Sequence, residues 1–179
     1  LRGYFSKVKL DLDGFPAPTY SFADTTEYSN AQQLTGYAGI RAVFADGSFH
    51  NNLALTVSDI NRDNYDPAFG PAPSFLARGR SERIAFQGDW TISTIVRTVF
   101  GAEHERSRFT DGFSPAKTNV SSLYGQLIVD PVESLTLTGG ARLDDHKTYG
   151  SKATLSANLA WRPATGTVIR ASYGEGFKA

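Results

Sequence analysis

The sequence predicts an all-β fold, an antiparallel up-and-down transmembrane β-barrel segment of about nine strands. Three observations carry that prediction. Apolar residues recur at every second position in one segment after another, which is the period of a strand with two unlike faces. The connections between these segments alternate between tight turns and longer polar loops. Three aromatic residues on the apolar parity stand directly beside tight turns.

Val8, Leu10 and Leu12 alternate with Lys9, Asp11 and Asp13 and give the first strand. The second is read at about 34 to 44, although residues 31 to 44 also suit a short helix, and the third at about 49 to 58. In the fourth, Ile84, Phe86, Gly88 and Trp90 alternate with Arg83, Ala85, Gln87 and Asp89. Looser alternation marks 95 to 106 and 120 to 129. The clearest segment is 135 to 144: Leu135, Leu137, Gly139, Ala141 and Leu143 on one parity, Thr136, Thr138, Gly140, Arg142 and Asp144 on the other. Leu155, Ala157, Leu159 and Trp161 alternate with Thr154, Ser156, Asn158 and Ala160, and a ninth strand covers about 167 to 177.

Residues 45 to 48, 91 to 94, 130 to 134 and 162 to 166 read as tight turns. The stretches 14 to 33, 59 to 79, 107 to 119 and 145 to 152 read as long loops. An up-and-down sheet sends the two sets to opposite rims, as in outer-membrane barrels. Phe44, Trp90 and Trp161 then share one height and suit an interfacial aromatic girdle. Regular short strands with turn signals also suit a soluble β-sandwich, whose core these rings would cap.

Composition removes several function classes. The 18 Lys and Arg balance 18 Asp and Glu, so the basic excess of a nucleic-acid binder is missing. With no Cys, thiolate metal sites, disulfides and cysteine nucleophiles are excluded. No run of 18 apolar residues is present, which excludes a transmembrane helix but not a barrel strand of about 10 alternating residues. No nucleophile elbow, phosphate loop or dinucleotide fingerprint occurs, so no catalytic residue is expected and the protein is not read as an enzyme. A chain without Met that opens on Leu1 reads as a piece of something longer.

The stretches SDINRDNYDP at 58 to 67, VFGAEHERSRF at 99 to 109, SSLYGQLIVDPVESLTLTGGARLDD at 121 to 145 and IRASYGEGFKA at 169 to 179 carry a further signal. Together they resemble the barrel domain of TonB-dependent outer-membrane receptors, most closely the cobalamin-receptor-like branch. The resemblance covers nearly the whole chain, so residues 1–179 are read as a partial barrel domain. It implies a 22-stranded barrel with a plugged lumen. It also implies a plug domain and a TonB-engaging segment, neither of which has a counterpart here. Two open edges would be costly in lipid, so the segment is not expected to span a membrane alone.

The implied function is import of a scarce, bulky nutrient through the bacterial outer membrane, cobalamin first and a ferric siderophore second. Ligand would bind at the long-loop rim, and energy delivered by the TonB complex would rearrange the plug. The implied partners are TonB, membrane lipid and a small-molecule or metal-chelate cargo. A passive porin-like or structural barrel and a soluble all-β binding module are the alternatives.

Lys9, Asp11, Asp13, Arg41, Arg83, Asp89, Arg97, Glu103, Arg142, Asp144 and Arg170 fall on the wet parity and are expected to face the lumen, some pairing with each other. Glu175 departs by sharing the parity of Ile169, Ala171 and Tyr173. Asp59, Asn61, Asp63 and Asp66 begin like a calcium loop, but Asn64 stands where the turn glycine belongs and Gly70 where the bidentate glutamate belongs. A standard EF-hand is therefore excluded; the stretch reads as a solvated polar loop and no cofactor is expected, with a looser calcium site in an extracellular loop as the alternative. Tyr65, Phe69, Phe75, Phe109 and Phe113 are the loop aromatics available to stack on a bulky ligand. His50, His104 and His146 are too scattered for a metal motif.

Overall fold

A computed structural model describes residues 1–176; residues 177–179, which include the last position of the ninth predicted strand, lie outside the described residues. The described chain forms β1 (Arg2–Gly14), β2 (Ala23–Phe44), β3 (Phe49–Tyr65), β4 (Pro73–Thr91), β5 (Val96–Thr110), β6 (Ala116–Val132), β7 (Leu135–His146), β8 (Gly150–Ala164) and β9 (Thr167–Gly174). They make one sheet in the order β1-β2-β3-β4-β5-β6-β7-β8-β9, the up-and-down topology the turn pattern predicts. The stretch that also suited a helix is strand throughout, as part of β2.

The strands are longer than their apolar alternation. The expected loop at 59 to 79 shrinks to 66–72, because β3 runs on to Tyr65 and β4 starts at Pro73. The other long loops contract likewise to 15–22, 111–115 and 147–149. In these extensions neither parity is consistently apolar, so no hydrophobic period marks them. Backbone ladders and cross-strand ion pairs hold them instead.

No apolar side chain is buried among the described residues; the buried ones are polar, Ser29 at 3%, Ser122 at 4% and Asp144 at 7% exposure. A soluble sandwich buries its alternate apolar residues between two layers. Here Ile40, Leu123 and Leu155 stand in the open on a single sheet, which is sensible only if lipid covers them.

Contacts divide the chain into two compact units. The first holds residues 1–38, 56–82 and 106–118. In it β1 pairs antiparallel with β2, Phe5 opposite Leu34, Lys9 opposite Asn30 and Leu10 opposite Ser29. This register reverses the expected parity of β1. Lys9 and Asp11, ion-paired at 3.0 Å, share the face of Phe5 and Leu34, and Lys9 Nζ lies 4.8 Å from the Tyr28 ring centre. Val8 and Leu10 lie on the face of Ser29. Alternation gives a strand two faces but does not say which one meets lipid.

The second unit holds 39–55, 83–105 and the chain from 119 on, with all four tight turns. At 45–48 the backbone turns through positive φ at Ala45, Asp46 and Gly47, and Gly166 takes φ 80° in the β8–β9 turn, where a side chain would be strained. Across β6, β7 and β8 the apolar residues fall in register: Leu123 opposite Leu143, Leu143 opposite Ala153, Leu137 opposite Leu159, Leu135 opposite Trp161.

Candidate functional site

The two faces of the second unit differ in chemistry. On the apolar face, the expected girdle residues Phe44 and Trp90 join a larger aromatic cluster. Phe49 lies between them, with ring centres 6.5 Å from Phe44, 6.0 Å from Trp90 and 6.1 Å from Phe100, and Phe100 continues to Phe86 at 6.2 Å. Phe49 and Phe100 were not singled out in the sequence, since neither adjoins a run of clear alternation. Gly88 makes the cluster possible, because a Cβ there would fall 2.7 Å from the Phe100 ring.

Toward the loops the same face turns polar in four adjacent strands at one step. Ser121 is opposite Asp145, Asp145 is opposite Ser151, and His104 Nδ1 lies 2.8 Å from Ser121 Oγ. One residue pair further in stand Ala102, Leu123, Leu143 and Ala153. The apolar band of β7 thus runs from Leu135 to Leu143, nine residues, which matches the roughly 9 to 11 of a tilted membrane strand. Trp161, the third expected girdle residue, closes the opposite end of the band beside Leu135 and Ile169.

The other face carries a connected polar ladder. Glu103 is held between the guanidinium groups of Arg83 and Arg142, the latter through Nη1 at 2.9 Å. Arg142 Nε donates to both oxygens of Asp144 at 2.9 and 3.0 Å, and its Nη2 donates to Ser122 Oγ at 2.8 Å. The Ser122 hydroxyl in turn donates to Asp144. Arg142 also lies over the Tyr124 ring at 5.7 Å, and the Tyr124 hydroxyl donates to Gln87 at 3.3 Å. A ladder of this kind ties β4, β5, β6 and β7 together where no apolar core exists. Of the expected lumen residues, Arg83, Glu103, Arg142 and Asp144 meet in it, and Arg97 pairs separately with Asp130 at 3.8 Å. Arg41, Asp89 and Arg170 take no part in it.

Glu103 is the hub, largely buried while both its arginines are about half exposed. Glu103→Gln should therefore destabilise the intact barrel by about 1 to 3 kcal/mol, below the full cost of orphaning a buried charge because the lumen screens the arginines. Asp63→Asn, at a more exposed carboxylate paired with one arginine rather than two, should cost under about 1 kcal/mol. Denaturant unfolding of the detergent-solubilised protein compares the two. Equal effects would refute a hub role for Glu103.

Residues 2–179 match the family model of the TonB-dependent receptor-like β-barrel. The chain belongs to that family. Members are transporters rather than enzymes, in keeping with the lack of any catalytic motif. Among solved structures the receptor barrel is similar to the siderophore receptor PirA from Pseudomonas aeruginosa, with a TM-score of 0.74 over 88% of this chain at 16% identity. The chain spans 29% of the length of PirA, and at this identity the likeness is one of fold.

The expected ligand aromatics scatter over this receptor barrel. Tyr65 ends β3 and stacks on Tyr28 at 4.7 Å, Phe75 lies in β4 and Phe109 in β5, so three of the five are strand residues rather than loop residues. Phe69 and Phe113 are in connections, 89% and 91% exposed. Phe15 and Phe22, an edge-on pair at 5.6 Å in the 15–22 connection, join them as exposed loop aromatics. Asp111 shapes the loop that carries Phe113: its Oδ1 accepts from the backbone of Ser114 at 2.7 Å and Phe113 at 2.9 Å, and these bonds hold its carboxyl below the ordinary aspartate range.

The four calcium candidates do not converge. Asp63 pairs with Arg78 at 2.6 Å, Asp59 with Arg80 at 3.5 Å, and Asp66 Oδ1 accepts from the Ala68 amide at 3.0 Å at the start of a short turn. Asn61 stands between Asp59 and Asp63 within β3, which is strand here rather than loop. Among the described residues no three His, Asp or Glu side chains are placed to hold a metal ion. His104 bonds Ser121, and His146 Nδ1 accepts from the amides of Thr148 and Tyr149 at 3.1 and 3.3 Å, closing the 147–149 connection.

Proposed function

We propose that this chain is part of the wall of an outer-membrane transporter that imports a scarce, bulky nutrient, a ferric siderophore or cobalamin, with energy delivered through TonB. The observation that carries the reading is the two-faced sheet. A nine-residue apolar band bounded by tryptophan and by a polar row suits a bilayer, and the ion-paired ladder on the reverse side suits a lumen filled by a polar plug. In this reading the barrel performs no chemistry. Its long-loop rim receives cargo, and its polar wall gives the plug a surface of both charge signs to slide against. A loose calcium site in an extracellular loop stays a proposal of this reading, with Asp59, Asn61, Asp63 and Asp66 as its candidates.

The test is uptake of radiolabelled cyanocobalamin and ferric siderophores by cells with and without the parent gene, each with and without TonB. Loss of uptake in both deletions supports the reading. Uptake that needs the gene but not TonB points to a passive pore, the alternative open from composition.

A further inference from the structure

On the face opposite Val57 and Leu34 in the first unit, three polar side chains form a compact device. Ser29, 3% exposed, donates its hydroxyl to Asn64 Oδ1 at 2.8 Å. Arg62 Nε donates to Ser29 Oγ at 3.1 Å and to Asn64 Oδ1 at 3.3 Å. That these three share a face with Thr35 and Ser58, themselves in contact at 3.2 Å, follows from the unbroken β1–β2 register between Ser29 and Thr35.

The consequence lies at the far end of Arg62. Its Nε is fixed, which sets the plane of the guanidinium, while Nη1 and Nη2 have no partner among the described residues. The arginines across the sheet are different: Arg78 is neutralised by Asp63, and Arg80 by Asp59 and Glu82. Arg62 keeps a charge with no ion-pair partner among the described residues, on the face of Thr35 and Ser58 and three residues before β3 ends at the 66–72 connection. A planar fork held from behind by neutral groups is suited to a carboxylate, whose two oxygens meet two parallel N–H donors.

We infer that Arg62, oriented by Ser29 and Asn64, is a cargo-binding residue at the loop end of the lumen, and that the cargo is an anionic ferric chelate bearing carboxylates. The inference rests on the transport reading and narrows it. A cargo of this class carries net negative charge and needs a fixed cation, whereas cobalamin offers amides and a single phosphodiester whose charge is balanced within the molecule.

The experiment uses the intact receptor in detergent and three probes: ferric dicitrate, the cationic hydroxamate chelate ferrioxamine B, and cyanocobalamin. The wild type is expected to bind ferric dicitrate. Arg62→Ala should weaken that binding roughly ten- to hundredfold. Arg62→Lys, which keeps the charge but loses the fork, should recover only part of it, and Ser29→Ala should weaken it less than Arg62→Ala does. Unchanged heat-modifiable gel mobility shows that each variant is assembled. Ferric dicitrate binding that survives Arg62→Ala overturns the role of Arg62. Binding of only the cationic chelate or cyanocobalamin, or of none of the three, overturns the cargo class; the transport reading stands or falls separately on the uptake test.

Discussion

Valine in place of Gly101 is expected to keep the intact barrel from assembling. A Cβ at Gly101 would stand 2.4 Å from the Tyr124 ring and 2.5 Å from the carbonyl oxygen of Phe86. The ring passes over the glycine from β6 and reaches Gln87 on β4, so it spans three strands and depends on the missing side chain. Overpacking commonly costs about 1 to 3 kcal/mol, and here one of the two obstacles is main chain that cannot turn aside. Gly101→Ala should already be harmful, and Tyr124→Ala should rescue it poorly because the Phe86 oxygen remains. Gly88→Ala offers the contrast: the three atoms nearest its Cβ all belong to the Phe100 ring and none to main chain, so Phe100→Ala should restore it. Heat-modifiable mobility and trypsin resistance of the intact receptor report assembly. A Gly101→Val protein that assembles at wild-type yield would refute the packing described for Tyr124.

Arginine at Ala141 should be far more damaging than arginine in the polar row of the same face. Ala141 lies between Gly125 and Leu155 in the ladder, one residue pair inside the Leu123–Leu143 pair. A cationic side chain near the middle of the lipid face costs about 2 to 4 kcal/mol, falling to about 0 to 1 near the interface. Ser121→Arg, in the polar row, should therefore be mild, and so should Thr138→Arg, which points the other way. Denaturant unfolding in lipid vesicles gives all three values. If the arginines at 121 and 141 cost the same, the polar row does not mark the edge of the hydrocarbon.

The readability of this fold in sequence followed from where the physics is local. Leu135 to Leu143 and Leu155 to Trp161 declare their faces because alternation is a property of one strand. Phe49 and Phe100 are members of the aromatic cluster only through cross-strand contacts, and no single strand announces them. The loop-side ends of β3 and β4 read as loop because neither of their parities is consistently apolar; Arg78, Arg80, Asp59 and Asp63 hold strand there by pairing across the ladder. Arg83, Glu103, Arg142 and Asp144 were legible as one wet face, while their assembly around Glu103 depends on register. Arg62 gave no signal, because its role comes from Ser29, a residue 33 positions away.

The polar row of His104, Ser121, Asp145 and Ser151 acts as a depth gauge. Between it and Trp161 the strand offers nine residues, five of them on the apolar parity, roughly 30 Å along its own direction and about 20 to 25 Å once tilted as barrel strands are. That is less than the hydrocarbon of an average bilayer and closer to that of the bacterial outer membrane, which is thinner. A thicker membrane would draw an imidazole and a carboxylate into oil or have to pinch around them. Hydrophobic mismatch would then penalise this wall in any thicker bilayer, so its band height by itself favours one cellular membrane over another.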